Sequence, residues 1–397
     1  MLVFIPDSDV SYALIAKSLL TILLTAFAAR VVSALQHKLR IAEGMAPIPG
    51  PKGWPLVGVL PLFIKHAYRF NEFHMCRHDE MMVKYGGRMK YPWSIFSDGM
   101  ISIASPEDVK HVLATNMDNY IRSPRFFASM EELFGKGLLL LDHAHTKDNG
   151  AMWHLQRKVA SRVFTTNNFK LFSEQIFRKH ALHMVQQVEE QRGKVDMSKL
   201  ASQYTLQSIF DVSCGVPLAE VDDQLGLSFV DSLSFVAHHM STRLLSKPYF
   251  LYFWWCMPSE YRLRREAQVL TNIANMILDR RLQESAEEIE PRSDIMSLFI
   301  KKARELSLEE GSSSTSPVLD IATLRSIFLT FNWAGWDTTS SAVIYTFYAL
   351  AQYPEVQEKL FREISSSGDS ENLQGNDENS DGVTYTDLKK FAYLDAV

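Results

Sequence analysis

Residues 321–352 hold no proline, and Pro354 stops any helix they form. At 1.5 Å per residue that helix is about 48 Å long, enough to cross a whole domain. A helix crossing a core must be apolar nearly all round, and both flanks of this one comply. Its centre, Ala334-Gly335-Trp336-Asp337-Thr338-Thr339, does not. Gly335 and Thr338 are three residues apart and share a face. Gly335 removes bulk there, and Thr338 can turn its hydroxyl back to the carbonyl of Ala334, a bond that loosens a helix. The predicted result is a shallow groove with a hydroxyl in it and the Asp337 carboxylate beside it. The alternative is plain helix–helix packing through Gly335.

The rest of the body is predicted to be mainly α. Apolar residues recur at helical spacing through 152–165, 170–190, 197–212, 226–245 and 260–284. Ser105-Pro106-Glu107-Asp108 is a helix start, with a capping hydroxyl, a proline at the first position and an acid three residues after the cap. Strand signals are confined to 88–93 and 99–105, a small β element near the start. Polar stretches at 309–317 and 365–382 read as surface loops. With 46% apolar residues the chain can bury a large core. A net charge of −5, from 41 basic and 46 acidic residues, gives no electrostatic case for nucleic acid. Cys76, Cys214 and Cys256 are odd in number and far apart, which argues against a disulfide framework or a zinc site.

Residues 1–45 are predicted to be an N-terminal membrane anchor. The segment 12–35 is mostly apolar, but the uninterrupted run from Ser18 to Ala29 is short of the roughly 20 residues a span needs, so Lys17 and Arg30 must sit near the two interfaces with their stems reaching outward. Arg30, Lys38 and Arg40 follow the apolar run while Lys17 alone precedes it, which favours a cytosolic body. A cleaved signal peptide is the rival reading, and it lacks a compact basic region before the run. Residues 46–58 carry Pro47, Pro49, Pro51 and Pro55, which forbid helix and stiffen the chain into a hinge or an ordinary loop.

At 150–165, Trp153 and Arg157 are four residues apart, so their side chains meet on one helical face. An indole N–H and a guanidinium are both obligate donors, and together they suit a carboxylate. A core tryptophan with an arginine stacked on it explains the same pair.

These segments together resemble the cytochrome P-450 family of haem-thiolate monooxygenases. The resemblance rests on AGWDTT (334–339) in a long helix followed by YALAQYPEVQEKLFREI (348–364), on WHLQR (153–157), on PIPGPKGWPLVG after an apolar start, and on DLKKFAYLDAV at the end. Within the family the chain is most similar to the fatty-acid and alkane hydroxylase branch, through MWHLQRKVASRVF and SPRFFASMEELFGKGLLLLD. The resemblance implies a P-450-like helical fold and haem b as cofactor. It implies that Ala334 and Gly335 lie against the porphyrin, that Thr338 donates to the dioxygen and holds a water, and that Asp337 relays protons from solvent. It further implies that Trp153 and Arg157 bind a haem propionate. A lipophilic substrate, an NADPH-dependent flavoprotein reductase as electron donor and an endoplasmic-reticulum membrane location come with it. Trp336 departs from the small, aliphatic or polar residue usual at that position and is expected to point away from haem.

The largest departure concerns the proximal ligand. The family's cysteine lies in a loop F-x-x-G-x-R-x-C-x-G after the long helix, and none of the three cysteines fits that loop. The family's E-x-x-R pair is also absent. The expectation is therefore an incomplete catalytic domain over 59–397, truncated before the proximal haem loop, inactive alone and with its distal helix face open to water. The alternative function is a non-catalytic, membrane-tethered helical fragment. A di-iron hydroxylase would need several histidine clusters, and only His143/His145 and His238/His239 occur. The aromatic segment 246–258 suits substrate entry or core packing alike.

Overall fold

The first helix, α1, runs over Ser8–Met45. The computed structural model describes residues 8–54, 56–66, 78–94, 98–142, 147–192, 194–219, 221, 229–246, 257–309, 319–366 and 384–397. Two units emerge, Met1–Met117 and Asp118–Val397.

In the first unit, Lys17–Met45 of α1 is long and apolar enough to cross a membrane, and none of its apolar window is buried. The proline-rich segment does not float free of its unit. The Lys90 backbone N–H donates to the Pro49 carbonyl at 2.8 Å, and the Lys90 Nζ donates to the Met45 carbonyl at 2.7 Å. Lys90 belongs to β1 (Arg88–Tyr91), which pairs antiparallel with β2 (Met100–Ile103), Arg88 opposite Ile103. The predicted cap after β2 is present: Ser105 Oγ accepts from the Asp108 N–H at 3.1 Å, opening the short helix Pro106–Lys110.

The second unit is helical. Its helices include α2 (Pro124–Phe134), α3 (Lys147–Ser161), α4 (Met197–Cys214), α5 (Phe229–Ser246), α6 (Pro258–Gln283), α7 (Ile295–Glu309), α8 (Ile321–Gln352), α9 (Pro354–Ser366) and the terminal α10 (Ala392–Ala396), with Arg178–Glu190 between α3 and α4. The expected long helix is α8. Asp320 caps it, accepting from the Thr323 N–H at 2.8 Å, and Pro354 ends it. The helix expected over 152–165 stops at Ser161, because Thr165 caps the next one, Thr166–Leu171. The helical periodicity singled out neither α2 nor α7. The core gathers around α4 and α8, where Phe210, Phe229 and Phe328 meet with ring centroids 5.3–6.3 Å apart.

Charge is also buried here. Arg281 on α6 is fully buried, and its Nη2 donates to Asp294 Oδ2 at 3.2 Å. His239 and Arg243 on α5 both bind Glu260 in the first turn of α6. The first residues of the polar stretches 309–317 and 365–382 end helices. From 310 and 367 onward these stretches lie outside the described residues, as do His143, His145, Cys76, Cys256 and most of the aromatic segment.

Candidate functional site

A helix turns about 100° per residue, so the centre of α8 presents its residues in very different directions. Asn332, Trp336 and Ser340 are buried on one side, while Ala334, Asp337, Thr338 and Ser341 are exposed on the other. The predicted back-bond is present: Thr338 Oγ1 donates to the Ala334 carbonyl at 2.8 Å. The hydroxyls of Ser340 and Ser341 donate to the Asp337 carbonyl at 3.1 and 2.9 Å. Hydroxyls bonded to carbonyls in this way compete with the helix ladder and soften it.

Gly335 stands only about 60° from Thr338 on the helix, yet it faces a neighbour. A Cβ on it would lie 2.6 Å from Ile209 Cγ1 and 2.7 Å from Ile209 Cδ1. Ile209 of α4 thus fills the space that the missing side chain leaves. The groove is consequently narrower than the sequence implies, and its open part is Ala334 and Thr338. Gly335→Ala should cost about 1 kcal/mol net, since overpacking a core costs about 1–3 kcal/mol and alanine returns about 1 kcal/mol of helix propensity. In an Ile209→Ala background the same change should become stabilising. Urea midpoints of the four proteins measure this, and a loss of the same size in both backgrounds removes Ile209 from the explanation.

The Asp337 carboxylate has no hydrogen-bond or ion-pair partner among the described residues. Although it reaches solvent, burial by the surrounding protein raises its pKa above the ordinary carboxylate value. A carboxylate so placed takes up a proton more readily than one in water. The raised value also fixes a sign for stability. The folded state holds this proton more tightly than the unfolded one, so the contribution is present at low pH. It is lost as pH climbs past about 4 and through the raised folded value. Asp337→Asn should therefore raise the melting temperature at pH 7 and leave it unchanged at pH 3. A lower melting temperature at pH 7 contradicts this.

On α3, Trp153 and Arg157 lie together as predicted, the guanidinium 5.5 Å from the indole centroid. Arg157 is exposed and meets no carboxylate among the described residues. The loop between α2 and α3 ties this helix to α8. Gln156 Nε2 donates to the Lys136 carbonyl at 2.8 Å, and Gly137 is pressed so close to Thr330 and Ser326 that a Cβ would overlap them.

Cys214 is fully buried at the end of α4, its thiol 3.1 Å from the Phe210 carbonyl. Burial pushes that thiol up to about 12, so it is a core residue that stays protonated. His239 is buried against Glu260, and His238 is exposed beside it. Among the described residues, no three of His, Cys, Asp or Glu gather to hold a metal.

The family profile described as Cytochrome P450 matches residues 48–397. The chain belongs to the cytochrome P450 family. It is 28% identical over 331 residues to Cytochrome P450 704B1 of Arabidopsis thaliana, covering 79% of this chain and 59% of that protein. It is 27% identical over 395 residues to Cytochrome P450 704C1 of Pinus taeda, covering 94% of this chain and 71% of that protein. The chain thus spans less than two thirds of the length of the Arabidopsis protein. Among solved structures, the cytochrome P450DA heme domain aligns with a TM-score of 0.62 at 18% identity, over 87% of this chain and 67% of that one. That likeness establishes the P450 helical fold.

P450 membership makes haem the cofactor to test against these residues. A flat macrocycle needs a surface without projecting bulk, and Ala334 with the folded-back Thr338 hydroxyl provides one. Its carboxylates need donors not already neutralised, and Arg157 is such a donor. On both counts the residues present fit haem.

Proposed function

We propose that this P450 is a haem-dependent monooxygenase that inserts one oxygen atom of dioxygen into a lipophilic substrate, a fatty acid or an alkane. The observation that carries the reading is the exposed strip on α8. A softened turn there sets side by side a small residue, a parked hydroxyl and a carboxylate of raised pKa that has no partner among the described residues. Ala334 would form the flat seat, with Gly335 letting α4 close in behind it. Trp153 and Arg157 would hold a propionate. When bound, haem supplies the oxidation of the substrate with dioxygen, and the chain supplies protons, geometry and exclusion of water.

The protein's own part is proton delivery. Asp337 takes a proton from solvent, because its surroundings favour the neutral form. Through a water it passes that proton to Thr338 Oγ1, which leaves the Ala334 carbonyl to accept it and donates its own proton onward. The fatty-acid branch is supported by the sequence resemblance. An N-terminal membrane anchor is supported by the length and apolarity of Lys17–Met45. Its placement in the endoplasmic-reticulum membrane with the body in the cytosol rests on the family resemblance and on the basic residues that follow the apolar run. Electrons would come from an NADPH-dependent flavoprotein reductase.

Among the described residues the one cysteine is Cys214, and its protonated core position supports the narrower reading that Cys214 is not the thiolate ligand. A reduced carbon monoxide difference spectrum separates the two states, since a thiolate-type Soret band marks a loaded enzyme. In the loaded enzyme, Thr338→Ala should keep haem but divert reducing equivalents to hydrogen peroxide. If Thr338→Ala and Asp337→Asn both keep the original coupling and rate, the strip is structural and the relay is wrong.

A further inference from the structure

Trp336 lies between the residues of the exposed strip and points the opposite way. At about 100° per residue, Ala334 and Thr338 each stand about 160° from it, and Asp337 about 100°. The indole is 7% exposed, and its Nε1 donates to Ser202 Oγ on α4 at 2.8 Å. The Trp336 carbonyl lies 3.4 Å from Thr205 Oγ1, one turn further along α4, a hydroxyl whose nearer acceptor is the Ala201 carbonyl at 2.9 Å. Gly335 meets Ile209, and Asn332 Nδ2 donates to Ser213 Oγ at 2.9 Å. Partners on α4 thus run backward from Ser213 to Ser202 as α8 runs forward from Asn332 to Trp336, so the helices are antiparallel here.

The turn that carries the strip is the softened one, with hydroxyls on the carbonyls of Ala334 and Asp337. Apolar packing is non-directional and leaves a softened turn free to twist. A hydrogen bond from a buried indole N–H is directional, and breaking it strands a polar group. We propose that Trp336 is a positioning residue, whose N–H on Ser202 fixes the rotation of α8 and thereby aims Asp337 and Thr338 at the open side. Its importance rests on the reading of that strip as the proton-delivery site, but the tether itself is a property of the haem-free chain.

The test uses the full 397-residue chain without haem. Single cysteines are introduced by Thr338→Cys or Ser340→Cys, one on the open face and one on the buried face. Their modification by a thiol reagent is followed peptide by peptide with mass spectrometry, which reads the native cysteines separately. With the tether intact, the thiol at 338 should react much faster than the thiol at 340. Adding Ser202→Ala should lower that rate ratio about tenfold, the population shift that loss of one such hydrogen bond permits. Ser202→Thr, which keeps the acceptor, should preserve the ratio, and Trp336→Phe, which keeps a ring but no N–H, should act like Ser202→Ala. Loosened packing without a change of rotation would speed both sites and leave 338 dominant. That outcome, or an unchanged ratio in Ser202→Ala and Trp336→Phe, overturns the proposal. Because no haem enters the measurement, failure of the carbon monoxide spectrum leaves this result standing, and the reverse also holds.

Discussion

Glu260→Ala is expected to cost about 3–5 kcal/mol of folding stability, the loss seen when one partner of a buried ion pair is removed. Glu260 is 1% exposed at the start of α6. Its Oε1 accepts from His239 at 2.9 Å and from Arg243 Nε at 3.0 Å, and its Oε2 takes Arg243 Nη2. Burial alone pushes the Glu260 carboxyl up, but the bonds from Arg243 and His239 outweigh it and hold the pKa below the ordinary value. The carboxylate therefore stays charged, and truncating it leaves Arg243 in a mostly buried place with the more distant Glu132, 3.4 Å from Nη2, as its carboxylate and the Ser129 carbonyl 3.4 Å from Nη1. The sign with pH follows. A lowered folded pKa gives stability that is present above the ordinary glutamate value and lost as pH falls through the folded value. Urea unfolding at pH 7 should show the full loss, and the gap between the two proteins should shrink toward pH 3. A loss under about 1 kcal/mol at pH 7 would mean the cluster contributes little.

Nothing in the sequence distinguishes His238 from His239. Their helical offset places them about 100° apart, but only the packing of α5 on α6 decides that His239 goes inward to Glu260. The partner lies 21 residues away across a connection with no periodic signal, so no local pattern contains the pair. Features made within one or two turns were legible. The Thr338 back-bond, the Ser105 cap and the Trp153–Arg157 stack all follow from offsets of three or four residues. Features made across the fold were legible only as types. Gly335 announced a close approach, yet whether a ligand or a helix came close depended on Ile209, 126 positions earlier. The family resemblance implies that Trp336 points away from haem, while its acceptor Ser202 carries no mark in the sequence.

Arg157→Ala should weaken haem retention by roughly ten- to a hundredfold while leaving the fold nearly untouched. Hydrogen bonds to a charged group contribute about 1.5–3 kcal/mol, and each 1.4 kcal/mol is about tenfold in binding. The fold effect is small because Arg157 is exposed, meets no carboxylate among the described residues, and contributes only its stack on Trp153. An exposed cation–π contact of that kind is worth about 0.5–1 kcal/mol. Arg157→Lys should recover part of the affinity, since lysine restores the charge but neither the planar fork nor the flat stack. Trp153→Phe should keep the stack and lose the indole donor, giving an intermediate loss. The measurement is the rate of haem transfer from the loaded protein to an excess of a haem-free scavenger, with urea midpoints of the haem-free variants as the control. Equal transfer rates in all four proteins would detach the pair from the propionate. A melting loss as large as the haem loss would instead assign Trp153 and Arg157 to the packing of α3, the reading that a stacked indole and guanidinium also permit.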